Sequence, residues 1–92
     1  MNRERIITAI EGFANSPKSV HFDELVNLLD NHVGPMFQNY NHHHGSSHHA
    51  FTVGTNTFNV AKPHAGCVKL PYIKLFLDAM EAVGLYTPGA EK

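Results

Sequence analysis

From Asn2 onward the apolar residues Ile6, Ile7, Ile10 and Phe13 recur at helical spacing, with Arg3, Glu4, Arg5 and Glu11 on the other side. The sequence NSP at 15–17 stops the pattern, so the first predicted element is an amphipathic helix. A second helix is expected from about Phe22, where Phe22, Leu25, Val26, Leu28, Leu29 and Val33 make an apolar stripe. Asp23 and Glu24 suit the positive end of its dipole, and Gly34 with Pro35 ends it. His21 stands at its N-cap, where Ser or Asp is the usual residue. In the third helix Pro71 takes the first turn, Ile73, Phe76, Leu77, Met80 and Val83 share a face, and Gly84 supplies the C-cap.

Between Met36 and Lys62 the period changes from helical to two, with Phe, Tyr, Thr, Val and Asn alternating around a VGTN turn at 53–56. Three short strands are predicted, at roughly 36–42, 47–53 and 57–62. The last two form a hairpin across Gly54 to Asn56, and the first pairs with the second through a histidine-rich turn. The order α-α-β-β-β-α predicts an α+β fold, a three-stranded antiparallel meander with helices packed on one face. No second apolar face is left to cover the other.

The middle strand decides which residues face which way. Side chains alternate along an extended chain, so His49, Phe51 and Val53 share one face while His48, Ala50 and Thr52 share the other. Phe51 and Val53 must point at the helices, taking His49 with them as a supporting histidine bonded to backbone, and His48 emerges on the open face. In the third strand Phe58 and Val60 turn inward, and Thr57, Asn59 and Ala61 outward.

Composition adds bounds. A chain of 92 residues with 42% hydrophobic content suits one domain with a modest core. The net charge of -1 lacks the basic excess of an electrostatic nucleic-acid binder, yet eight histidines supply conditional positive charge. Five of them lie within the stretch NHHHGSSHHAF at 41–51. The single cysteine, Cys67, has no CxxC partner, no N-terminal apolar segment precedes a cleavage site, and no apolar run approaches the ~20 residues of a membrane span. A soluble cytoplasmic protein without a membrane association is expected.

Residues from about Ser19 to Tyr86 resemble the HicA family of toxins, small mRNA interferases of toxin-antitoxin pairs. FDELVNLL resembles that family's first helix, GSSHHAF its G-S-(S)-H-H-x-F signature, NVAKPH its strand ending in a Pro/Lys/His turn, and VKLPYIKLFLDAMEAVGL its closing helix. The resemblance implies a double-stranded-RNA-binding-domain-like core over 18–87, preceded by a helical extension at 1–17 and followed by a frayed tail at 88–92. It also implies a catalytic histidine on the sheet, which on this chain is His48, the residue that the face argument selects independently. Gly45, Ser46 and Ser47 match the turn leading into the strand, where Gly permits an unusual backbone angle and a close approach of RNA. The implied reaction is attack of an RNA 2′-hydroxyl on the adjacent phosphorus, which needs a near-neutral base and a proton donor but no metal or other cofactor. The implied partners are mRNA and a HicB-like antitoxin that covers the active face.

This chain departs from the family's basic surroundings, because no Lys or Arg lies between Lys18 and Lys62. Lys62, Lys69 and Lys74 are the cations best placed to steer an RNA backbone, and His42, His43, His44 and His64 add charge on protonation. A module of the same fold that binds RNA or antitoxin without cutting is therefore the alternative. A third reading takes the histidine run as a metal site: His42 and His44 share a strand face and His48 joins them across the turn, though no Cys or carboxylate completes a structural set. Cys67 has no adjacent base, Ser46 and Ser47 lie in no G-x-S-x-G elbow, and packing is the expected use of Tyr40 and Tyr72.

Overall fold

Asn2 opens the first helix by accepting a hydrogen bond from the Arg5 N–H at 2.9 Å, the N-cap role that short amide side chains fill. In the computed structural model, which describes residues 2–89, the helix α1 runs Arg3–Asn15. Its Ile6 and Ile10 are buried in one hydrophobic cluster shared with the other two helices and with two of the strands, and Phe13 packs on Phe76 of the last helix at 6.0 Å between ring centroids. Burying side chains of this size stabilises by about 1.5–3 kcal/mol each. Ala90 to Lys92, the end of the tail expected to fray, lie outside the described residues.

A single 3-10 turn at Pro17–Ser19 leads to Val20, whose carbonyl accepts from the Val68 N–H at 2.8 Å while His21 bridges to Cys67. This short pairing fixes the loop before the last helix against the start of the second, α2 (Phe22–Leu28). The weak N-cap at His21 is compensated from within: its backbone N–H donates to the Glu24 carboxylate at 3.1 Å, half of a capping box. Where the apolar stripe predicts one regular helix to Val33, the α-helix ends at Leu28. A π-helical segment, Leu29–Val33, and a 3-10 turn, Gly34–Met36, carry the chain onward. The wider turn keeps Leu29 and Val33 fully buried and holds Asp30 at the edge of the sheet.

The sheet has the predicted order and direction: β1 (Tyr40–His44), β2 (His48–Val53) and β3 (Asn56–Ala61), antiparallel neighbours in sequence. β1 starts later than the predicted 36–42, because Gly34–Met36 still belongs to the helical turn. Strand pairing begins only after Asn39, which exchanges hydrogen bonds with Gly54 through both its backbone and its side chain. His43 and His44 are consequently strand residues and not part of the turn. The β2–β3 turn is the two-residue Gly54–Thr55, since Val53 pairs with Asn56. The register places Phe51 opposite Phe58, ring centroids 5.5 Å apart, and Phe58 reaches Phe76 of α3 (Leu70–Ala82) at 6.2 Å. Val53, Val60, Ile73 and Met80 complete the buried layer between sheet and helix. Thr52 and Thr57 pair on the opposite face, hydroxyls 3.0 Å apart. Among the described residues no helix is long and apolar enough to cross a membrane.

Candidate functional site

The two histidines that open β2 part company. His48 is exposed and lines an open pocket of about 390 Å³, together with Ser47, Lys62, His64, Cys67 and Lys69. Three segments build it. The β1–β2 turn brings Ser47 and His48, the end of β3 brings Lys62, and the loop to α3 brings His64, Cys67 and Lys69. The Lys62 N–H donates to the Ser47 carbonyl at 3.0 Å, extending the β2–β3 ladder by one rung, and the bridge at Cys67 holds the loop in place. The Ser47 hydroxyl lies 3.1 Å from His48 Nδ1 and engages that nitrogen, so proton chemistry at this ring falls to Nε2. The described lining carries two lysines and two histidines and no carboxylate.

Of the sequence-selected residues, Ser47, His48, Lys62, His64 and Lys69 meet here, whereas Gly45, Ser46 and Lys74 do not line the pocket. Gly45 acts differently from the expectation. Its backbone angle is not in the left-handed region. What its position requires is the absence of a side chain: a Cβ there would stand 2.5 Å from the His48 carbonyl oxygen, which accepts the Gly45 N–H at 2.9 Å. The glycine closes the hairpin and so sets where His48 begins. Cys67 joins the pocket wall, a placement without a local sequence signal because it depends on pairing with His21.

A second cluster occupies the other face of the same strand ends. His42 and His44 of β1 face His49 of β2, since His42 pairs with Phe51 and His44 with His49. Their ring centroids lie 3.9 Å (His42–His44), 5.0 Å (His42–His49) and 5.0 Å (His44–His49) apart. Phe22 meets His49 edge-on at 4.9 Å, and Phe51 stacks on His42 at 4.2 Å. His48 is not a member, contrary to the expected grouping across the turn, because alternation sends it to the opposite face. Nor, among the described residues, is the His49 ring bonded to backbone as expected. Its Nδ1 lies 2.8 Å from His42 Nε2.

Behind His42 stands the Asp30 carboxylate, both oxygens 3.0 Å from Nδ1, and the Tyr40 hydroxyl donates to the same carboxylate at 2.6 Å. Asp30 has no N–H to give, so His42 Nδ1 carries the proton. In the neutral ring Nε2 is then a lone pair and His49 Nδ1–H the donor. Burial, with His42, His44 and Lys62 nearby, pushes the His49 ring below the ordinary histidine range, opposed by Asp30. Burial and the adjacent Asp30 carboxylate hold the Tyr40 hydroxyl far above the ordinary phenol range. Tyr40 fits there because Gly34 has no side chain: a Cβ would come within 2.8 Å of the tyrosine ring and 3.0 Å of the Leu29 carbonyl oxygen. The chain matches no family model, no curated protein and no solved structure.

Proposed function

We propose that the chain is a HicA-like endoribonuclease with a double-stranded-RNA-binding-domain-like fold, acting on mRNA in the cytoplasm with His48 as its general base. What carries the reading is the convergence on one open pocket of Ser47, His48, Lys62, His64 and Lys69, residues that the sequence singles out from separate segments. A phosphodiester needs cationic surroundings without carboxylate competition, a base that is neutral near pH 7, and an acid for the leaving oxygen. Lys62 and Lys69 hold the phosphate. His48 Nε2 takes the proton from the 2′-hydroxyl as its oxygen bonds to phosphorus. The bond to the 5′-oxygen breaks, and His64 as imidazolium returns a proton to that oxygen, leaving a 2′,3′-cyclic phosphate and a 5′-hydroxyl. The reaction needs no cofactor. A HicB-like antitoxin seated over this pocket would exclude RNA from it.

One observation favours a second reading. The absence of Lys and Arg between Lys18 and Lys62 leaves the open sheet face poor in fixed positive charge, which suits a module that binds RNA or an antitoxin without cutting. A single experiment separates the two. The purified chain, incubated with single-stranded RNA in chelator, cleaves it to cyclic-phosphate products, and His48→Ala abolishes cleavage while retaining RNA binding. Equal inertness of both proteins with equal RNA binding supports the non-cutting module instead.

A further inference from the structure

The histidine cluster on the inner face plays no part in the pocket chemistry, yet its geometry is that of a ligand set. His42, His44 and His49 each offer a ring nitrogen, and these atoms lie within 4.8 Å of one another. Around a tetrahedral zinc ion with metal–nitrogen bonds of about 2.0–2.1 Å, ligand nitrogens stand roughly 3.3 Å apart. The His42 Nε2 to His49 Nδ1 separation of 2.8 Å is therefore about half an ångström from the required spacing. His44 is exposed and turns its ring off the stack with His42 at little cost.

We infer that His42, His44 and His49 form a binding site for one late first-row divalent ion of the zinc, nickel and copper class. The fourth position opens to solvent past His44.

The support behind the ligands distinguishes this set from a chance run of histidines. A metal-binding imidazole generally donates its other N–H to a carboxylate, which fixes the tautomer and raises the basicity of the ligating nitrogen. Asp30 does this to His42, whose side chain is only 6% exposed. Asp30 is itself fixed by the Tyr40 hydroxyl. In its neutral form His42 thus presents the lone pair of Nε2 to the cluster. His49 has to move its proton from Nδ1 to Nε2 so that Nδ1 can bind, and the hydrogen bond between the two rings is exchanged for two bonds to one ion. The third sequence reading, with His48 as the joining ligand, is replaced by His49. Three neutral imidazoles leave the ion its full positive charge, and Asp30 beyond them balances part of it.

The binding is independent of RNA cleavage, so it can be tested whether or not the chain cuts RNA. The 92-residue chain free of any affinity tag, stripped with chelator, is titrated with zinc against a chromophoric indicator, and with cobalt for its tetrahedral visible absorption. One equivalent binds. His42→Ala and His49→Ala each weaken zinc at least about tenfold, and Asp30→Asn weakens it by about 10- to 100-fold through the supporting hydrogen bond. His43→Ala and His48→Ala leave the affinity unchanged. The imidazole nitrogen resonances of the isotope-labelled wild type provide a readout that no variant's folding can confuse: zinc shifts those of His42, His44 and His49. Shifts at His43 or His48 in their place, equal loss of affinity in His43→Ala, or no stoichiometric binding at all would overturn the assignment.

Discussion

His42 Nδ1 lies 3.0 Å from both carboxylate oxygens of Asp30, twelve residues earlier in the chain. That contact joins the π-helical turn after α2 to the edge strand β1. The edge strand otherwise has little apolar material to bury: Tyr40 is half-buried, Asn41, His43 and His44 are exposed, and the inward side chain at position 42 is an imidazole. A polar clasp takes the place of an apolar one, and a half-buried carboxylate satisfies two donors at once.

Removing the acceptor should therefore cost more than removing either donor. Asp30→Ala leaves both the Tyr40 hydroxyl and the His42 N–H without a partner. Because the Asp30 side chain is 33% exposed, water replaces part of what is lost, and the expected destabilisation is about 1–3 kcal/mol. Tyr40→Phe removes one bond and leaves Asp30 to His42, for about 1 kcal/mol. Urea denaturation in chelator measures both. A Tyr40→Phe protein less stable than Asp30→Ala would mean that the Asp30 carboxylate is not the shared anchor of this clasp.

The face assignment of His48 and His49 was legible in six letters, HHAFTV, because Phe51 and Val53 each need burial and alternation then leaves no freedom for their neighbours. The third helix was equally plain, since Pro71 and Gly84 bracket a stripe of side chains that are all buried or half-buried. The partners of His49 were not legible. His42 reaches it only through the strand register, and Asp30 reaches His42 only because the helix widens after Leu28. No local periodicity encodes either event. The start of β1 is hidden for a related reason: Phe37 is apolar enough to read as strand, but the 3-10 turn Gly34–Met36 precedes it and pairing waits for Asn39.

Gly45 offers a test of how tightly the hairpin sets the pocket. The methyl of Gly45→Ala meets the His48 carbonyl, a backbone atom that can yield only if the turn opens. A close contact of this kind costs typically about 1–3 kcal/mol, seen as a lower melting temperature. The same displacement carries the Ser47–His48 pair away from Lys62. On the proposed reading, RNA cleavage should consequently fall by more than the loss of folded protein accounts for at a temperature where the variant is still folded. Ser46→Ala, whose residue lies outside the pocket lining, provides the comparison within the same turn. Equal activity per folded molecule in Gly45→Ala and wild type would show that the turn does not position the site.

Lys62 and Lys69 give the pocket its fixed positive charge, and on the proposed reading their contribution to RNA binding is separable from that of the histidines by salt. Each phosphate neutralised on a single strand releases counterions, so the logarithm of affinity falls with the logarithm of salt by roughly 0.7 per contact. Replacing both lysines, as Lys62→Gln with Lys69→Gln, should weaken RNA binding at low salt and flatten that slope by about 1.4, at a pH where the histidines are neutral. Lys74→Gln should leave the slope unchanged, because Lys74 sits on α3 away from the pocket lining. Fluorescence anisotropy with a labelled single strand across a salt series measures all three proteins. A slope unaltered by the double substitution would remove the phosphate from Lys62 and Lys69, and with it the charge argument for placing RNA in this pocket.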